Sequence, residues 1–245
     1  MLKWFLNKKE KACEVLDFSV LKTDIHSHFL PGIDDGAPDM EASIVLIKKM
    51  QALGFSKVIT SPHVMSDFYK NSSETILMGL ADVRAELKLQ NINMEIDAVA
   101  EYYIDYEFEQ KIGKEKFLTF GGNYLLVELS FMEVPRNLFD IIFKLQLEGY
   151  KVVLAHPERY GYYKQEDYDN LVNRGVLLQI NLLSLIGYYS PQIKKKTEQL
   201  IAKGQVSFVG TDCHNMMHAE LYEKCQTKKA WHNLVNSGKL LNATL

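Results

Sequence analysis

The sequence predicts an α/β fold whose seven parallel strands close, or nearly close, into a β/α barrel, and three observations carry that expectation. Strand-like apolar runs alternate with helix-like periodic segments over almost the whole chain. Seven such runs occur, rather than the five or six that would favour an open doubly wound sheet. No linker or low-complexity tract interrupts them, and 245 residues with 47% hydrophobic content suit a single barrel domain. An open sheet of the same strands is the alternative.

The first run, 21–27 (LKTDIHS), leads through a Gly- and Asp-containing loop to a helix. Asp39 caps that helix, Ile44, Ile47 and Met50 face inward, and Gly54 follows its end. The strand at 57–61 (KVITS) precedes a helix at 73–90, where Ile76, Leu80, Val83 and Leu87 form one stripe. Strands at 95–101 (EIDAVAE) and 123–130 (NYLLVELS) come next. A helix at 136–148 then places Leu138, Ile141, Ile142 and Leu145 on one face. Strands follow at 151–156 (KVVLAH) and 175–181 (GVLLQIN). A further helix opens on Ser190-Pro191 and closes at Gly204, and the strand at 205–211 (QVSFVGT) comes after it. Residues 1–20 read as an amphipathic extension that docks on the body or on a partner, and residues 21–245 as the domain proper.

The 28 basic and 31 acidic residues leave a net charge of −3, so no global field holds nucleic acid or an anionic membrane. Neither a GxGxxG loop nor a P-loop is present, which removes most support for nucleotide-cofactor chemistry. Three cysteines, Cys13, Cys213 and Cys225, form no CxxC pair and point to a reducing, cytoplasmic setting. The first residues, MLKWFLNKKEK, are too short an apolar run for a signal or a spanning helix, so stable membrane insertion is not expected. Self-association is left open.

Ligand-type side chains stand at one end of nearly every strand. His26 and His28 end the first, His63 follows the second in SPH, and Glu101 ends the third. The fourth contains Glu128, the fifth ends at His156, and the seventh runs into Asp212 and His214. In a β/α barrel these C-terminal strand ends share one rim, where catalytic groups are presented. Residues i and i+2 of a strand point the same way, so the two imidazoles of HSH can meet one ion, and Asp35 can return to it from the loop. Imidazoles mixed with carboxylates suit Mn²⁺, Fe²⁺ or Zn²⁺. Glu128 lies in the apolar run YLLVELSF, where an unpaired carboxylate would cost several kcal/mol, and a cation removes that cost. The bland alternative for Glu128 is an ion pair with Arg136 or Lys151. A lone histidine is more often a packed or surface residue than a ligand, and that reading is kept for His218 and His232.

These motifs, HSH at 26–28 with DDG at 34–36, SPH at 61–63, AHPERY at 155–160 and TDCHN at 211–215, resemble the polymerase-and-histidinol-phosphatase (PHP) superfamily. More narrowly, the chain looks like the PHP-type bacterial protein-tyrosine phosphatases associated with capsule and exopolysaccharide loci, with LPGIDDGA and AHPERY the most specific matches. The resemblance covers about residues 22–235. It implies a distorted seven-stranded TIM-like barrel with three divalent metal ions, manganese foremost and iron or zinc as alternatives. It assigns His26, His28, Glu101 and Asp212 to one ion, Glu101, Glu128 and His156 to a second, and Asp35, His63 and His214 to the third. Asp24 and Asp34 would be outer carboxylates that orient histidines or the reacting water. Thr211 and Cys213 stand where other small residues are expected.

Divalent ions activate water and neutralise phosphate oxygens, which fits phosphomonoester hydrolysis without a protein nucleophile. No cysteine stands in a CxxxxxR context, and strand alternation turns Cys213 away from the site. Arg159 is the expected phosphate clamp, with Arg136 second. Phe68, Tyr69, Tyr102, Tyr103 and Tyr160 lie near rim loops and are candidates to stack on an aromatic substrate. Three functions follow. The first is a tyrosine phosphatase, which the resemblance links to the tyrosine-rich C-terminal tail of a bacterial kinase controlling polysaccharide length. The second is a small-molecule phosphatase such as histidinol-phosphate phosphatase. The third is a kinase-binding module with secondary catalysis.

Overall fold

Every strand position expected from the sequence is occupied, but two of them are broken. The computed structural model describes residues 13–245. Among these, the strands are β1 (Thr23–Asp24), β2 (Lys57–Thr60), β3 (His63–Val64), β4 (Glu95–Ala98), β5 (Glu101–Tyr103), β6 (Tyr124–Glu128), β7 (Lys151–Ala155), β8 (Leu177–Asn181) and β9 (Val206–Gly210). They form two parallel sheets, one ordered β1-β2-β4 and the other β3-β5-β6-β7-β8-β9. The expected second strand is thus β2, with β3 a separate piece just past its expected end, and the expected third is β4 followed by β5, which starts at its last residue. Pro62 stands in the first break, where its missing N–H cannot continue a ladder. Below the breaks Thr60 pairs with Ala98, and above them His63 pairs with Glu101.

The single closed ladder of the sequence reading is therefore divided. First and last strands meet through an isolated bridge, Ser27 to Cys213. There the His28 N–H donates to the Cys213 carbonyl at 3.0 Å and the Asp212 N–H to the His26 carbonyl at 2.7 Å. At the opposite end of that seam Asn242 is buried. Its amide donates to the carbonyls of Thr23 (3.0 Å) and Val209 (2.8 Å) and accepts from the Val209 N–H (3.0 Å).

The helices that cover the sheets are α1 (Met40–Ala52), α2 (Ser73–Leu89), α3 (Tyr106–Lys111), α4 (Leu138–Leu147), α5 (Gln165–Asn173), α6 (Pro191–Ala202), α7 (Met216–Leu221) and α8 (Lys229–Asn236). The local signals act as expected. Asp39 accepts from Ala42 N–H, Ser190 accepts from Ile193 N–H, and the predicted apolar stripes of α1, α2 and α4 are buried. One apolar cluster fills the space between helices and sheets, while a smaller one, including Ile25, Ile59, Leu126, Val153 and Phe208, lies between the strands.

Residues 1–12 of the expected amphipathic extension lie outside the described residues. Residues from Cys13 onward pack on the body: the Trp231 indole N–H donates to the Leu16 carbonyl at 2.8 Å, and Phe18 is buried, stacked on Phe55 at 5.4 Å.

Candidate metal centre

Short strands ending in irregular backbone bring the ligand-type side chains to one rim. His26 and His28 follow β1, His63 opens β3, Glu101 opens β5, Glu128 ends β6, His156 follows β7, and Asp212 and His214 follow β9. Two of these positions are left-handed, His156 (φ 34°) and Asp212 (φ 53°), a conformation uncommon outside glycine and frequent at functional sites. Two glycines make room for the first histidines. A Cβ on Gly36 would collide with the backbone and Cβ of His28, and one on Gly210 would lie 2.5 Å from the His26 Cβ.

The first group is His26, His28 and Glu101, all fully buried. Glu101 Oε2 lies 3.2 Å from His26 Nε2 and 3.6 Å from His28 Nε2, and Asp212 Oδ1 is 3.5 Å from each of the two imidazole nitrogens. A second group is His63, Glu101 and Glu128. His156 joins it, with Nε2 3.1 Å from Glu101 Oε1 and 3.5 Å from Glu128 Oε1. A third group is His28, Asp35, His63 and His214. Asp35 Oδ1 lies 3.6 Å from His63 Nε2 and 3.5 Å from His214 Nε2. All nine residues implied as ligands are thus in one contiguous cluster. His63 faces two groups, with Nδ1 toward the glutamates and Nε2 toward Asp35.

The donor set fits divalent cations on its own chemistry. Glu101 Oε2 and His63 Nδ1 are buried 3.1 Å apart, yet neither has a hydrogen-bond partner. Buried polar atoms without partners are costly in an ordinary core. Burial drives the Glu128 carboxyl well above its ordinary range, and the charges of Glu101 and Asp212 push the same way. Burial also opposes ionisation of Glu101, but His26 and His63 hold it well below that range. Burial, with the Arg159 guanidinium next, lowers His156 to about 4, so it stands neutral as a ligand must. Burial opposes charge on His26 and His28 as well, but Glu101 and Asp212 around the first and Asp34 beside the second raise both. Carboxylates that resist joint ionisation and draw positive charge onto their neighbours are what cations of charge two stabilise.

Hydrogen bonds aim the rings. His28 Nδ1 is 2.8 Å from Asp34 Oδ2 and His26 Nδ1 is 2.8 Å from Gln179 Oε1, so in each case the Nδ1–H donates and Nε2 is left for the cluster. His214 Nδ1 donates likewise to the Asp212 carbonyl at 3.0 Å. Asp24 has a different task from Asp34. It accepts from the Thr211 hydroxyl (2.6 Å) and N–H (2.9 Å), joining β1 to the end of β9, and burial raises its pKa to about 6.

A cleft of about 380 Å³ opens over the cluster. Arg159 lines it, pairs with Asp212 at 2.9 Å, and lies between the rings of Phe131 (4.8 Å) and Tyr189 (4.4 Å). Of the other expected substrate contacts, Arg136 is exposed and Phe68 is 73% exposed, and neither they nor Tyr103 line the cleft. Tyr160 and Tyr102 are buried in packing roles, because their hydroxyls accept from Leu129 N–H and Leu118 N–H respectively. Neither alternative partner reaches Glu128, since Lys151 sits over the Tyr124 ring instead. Cys213 is buried in the apolar cluster. Sequence reasoning missed Phe131, Tyr189, Gln179 and Asn181; His218, read as a packed or surface residue, lies on the lining of the cleft. His218 had a local signal: Asn215 accepts from its N–H at 3.1 Å, so the cap just past β9 places it at the rim.

Imidazoles and carboxylates converging at the strand ends of a parallel α/β fold, with a guanidinium at the edge, define a divalent-metal hydrolase. The chain belongs to the family described as capsular polysaccharide synthesis, CpsB/CapC, whose model matches residues 22–232. It is 32% identical over 196 residues to the tyrosine-protein phosphatase YwqE of Bacillus subtilis, covering 79% of this chain and 77% of that protein. Its fold matches a solved structure among those of YwqE from Bacillus subtilis and CpsB from Streptococcus pneumoniae, described as metal-dependent tyrosine phosphatases, with a TM-score of 0.79, 28% identity, and coverage of 91% and 94%. Histidinol phosphate phosphatase from Lactococcus lactis shares the fold at a TM-score of 0.53 and 15% identity, over 88% of this chain and 94% of that one.

Proposed function

We propose that this chain is a metal-dependent protein-tyrosine phosphatase that hydrolyses phosphotyrosine on a polypeptide, foremost the C-terminal tail of a bacterial tyrosine kinase that regulates capsule or exopolysaccharide synthesis. The observation that carries the reading is the cluster of converging imidazoles and carboxylates beneath Arg159, in which the buried atoms Glu101 Oε2 and His63 Nδ1 have no hydrogen-bond partner, in a chain of this family. His26, His28, Glu101 and Asp212 would hold one ion, Glu101, Glu128 and His156 a second, and Asp35, His63 and His214 a third, with manganese preferred over iron or zinc. When bound, such ions supply an activated water and charge neutralisation at phosphate oxygens. Arg159 keeps its guanidinium plane between Phe131 and Tyr189 and offers its remaining N–H groups to the phosphoryl oxygens. Phe131 stands at the mouth of the cleft, stacked on His156 at 5.7 Å, where the phenyl ring of the substrate enters. Asp34 holds the tautomer of His28.

Nine strands at seven positions support a PHP-type barrel interrupted at two of them. One apolar cluster running from Phe18 to Leu234 supports a single phosphatase domain over 21–245, with Leu16 and Phe18 of the 1–20 extension packed onto the same core. Three free cysteines, and no described helix long and apolar enough to cross a membrane, support a cytoplasmic setting without membrane insertion.

The test is hydrolysis of a phosphotyrosine peptide by protein stripped with chelator and reloaded with Mn²⁺, Fe²⁺ or Zn²⁺, beside His156→Ala and beside histidinol phosphate. Metal-restored turnover of the peptide, falling by about 100-fold or more in the variant, is expected. Turnover of histidinol phosphate alone would move the assignment to a small-molecule phosphatase.

A further inference from the structure

We propose that a second cavity, separated from the metal cleft by one aromatic ring, is a subsite for a neutral aromatic side chain of the substrate polypeptide, two or three residues from the phosphotyrosine. The inference rests on the phosphotyrosine-polypeptide reading above and extends it to sequence preference.

The cavity measures about 260 Å³ and lies between the N-terminal end of α2, α3, and the turn that follows β3. Its floor is aromatic: Tyr102, Phe108 and Phe117 are all buried, and Phe117 lies 4.9 Å from each of the others, edge-on to Tyr102 and stacked on Phe108. Such a floor offers both ring faces and edges to an incoming ring. The volume is below the roughly 300–1,000 Å³ of cofactor and drug-sized sites, so one side chain fits it better than a free cofactor.

Charge selects a neutral occupant. Three lysines, Lys70, Lys111 and Lys116, line the cavity against three acids, Asp105, Glu107 and Glu115, and the balance favours neither sign. Asp105 is already committed, accepting from the N–H groups of Ser66 (3.0 Å) and Phe108 (2.8 Å), which holds the β3 turn to α3.

Continuity with the cleft selects a segment of the same substrate. Tyr69 forms part of the cavity wall, and its ring stacks on His63 at 5.4 Å with an interplanar angle of 14°. The turn carrying it is pinned, because the Asn71 amide donates to the carbonyls of both Ile33 and His63 at 2.9 Å. Crossing Tyr69, whose ring stands 5.4 Å from that of His63, takes at least two residues of extended chain at about 3.3–3.6 Å each. Phe68, exposed on the same turn, is apolar surface for the residues that make the crossing.

The experiment compares phosphotyrosine peptides in which each of the three residues on either side of the phosphotyrosine is alanine or phenylalanine in turn. One flanking position is expected to raise kcat/KM by about 10- to 100-fold when aromatic, mainly through KM, in line with the burial of one ring. Ser73→Phe, which fills the cavity from α2, should bring that ratio close to one, while Ser73→Ala keeps it. A nonhydrolysable peptide carrying benzoylphenylalanine at the preferred position, added to the wild-type protein, should crosslink within residues 69–73 or 102–117. Equal kcat/KM for all flanks, a preference that survives Ser73→Phe in folded protein, or crosslinks elsewhere would overturn the subsite and leave the phosphatase reading intact. If no peptide is turned over whatever its flanks, the phosphatase reading fails and takes the subsite with it.

Discussion

Gln179 stands where a reader of ligand motifs finds nothing, on the one strand position that sends no imidazole or carboxylate to the rim. It is fully buried and links His26 to the rest of the site. Its Oε1 takes the His26 Nδ1–H, its Nε2 donates to Asn181 Oδ1 at 2.9 Å, and Asn181 in turn donates to Asp212 Oδ2 at 2.6 Å. Because the amide oxygen can only accept, the chain of bonds fixes which His26 nitrogen carries the proton. Gln179→Leu keeps the volume and removes that instruction, leaving two buried polar partners unsatisfied. Metal affinity is expected to fall about 10- to 100-fold, read as metal retained per chain during titration with a competing chelator. Unchanged retention, in protein whose circular dichroism matches the wild type, would mean that His26 is oriented by the cluster alone.

At the scale of elements, the ends of β7 and β8 are tied by one buried carboxyl. His156 turns the chain into left-handed backbone, a 3₁₀ turn over Pro157–Arg159 follows, and Glu158 Oε1 accepts from Asn181 N–H (2.9 Å) and the Ser184 hydroxyl (2.7 Å). Burial raises Glu158 from 4.5 to about 7, and no hydrogen-bond donor meets its second oxygen to support a charge there. The native state therefore holds this proton more tightly than the unfolded chain does. Its contribution to stability is complete below the unfolded value and is lost as pH rises towards about 7, an effect of order ~3 kcal/mol. Glu158→Gln, a neutral side chain of the same shape, should flatten the decline of the melting temperature between pH 5 and pH 8; parallel wild-type and variant profiles would refute the assignment. The same region shows what the sequence could tell. The HxH spacing and the strand-end histidines were legible because alternation along a strand is a local rule. The splitting of two strands, the directions of Arg136, Phe68 and Tyr103, and the partners of Glu158 depend on loop paths and on a neighbouring strand, which no local pattern encodes.

For the whole molecule, the consequence of gathering nine ligand-type side chains at one rim is that metal binding and folding are coupled. Asn242 and the Ser27–Cys213 bridge join the two ends of the strand array, and the second of these lies beside the proposed ligands, with Asp212 bonded to the His26 carbonyl. An ion shared between residues before that seam and after it holds the array together as a further crosslink would. An unfolded chain presents no such geometry, so the binding free energy adds to native stability. At a free metal concentration of 100 times the dissociation constant, one ion contributes about 2.7 kcal/mol. For a chain of this length that corresponds to roughly 5–10 °C in melting temperature. Chelation should therefore lower the melting temperature by at least that much, and readdition of Mn²⁺ should restore it in a concentration-dependent way. His156→Ala should recover only part of the shift, because it keeps His26, His28 and Asp212, the proposed ligands that span the seam. A melting temperature indifferent to chelator would show that the seam is held by backbone and by Asn242 alone, and that the cluster serves catalysis without serving the fold.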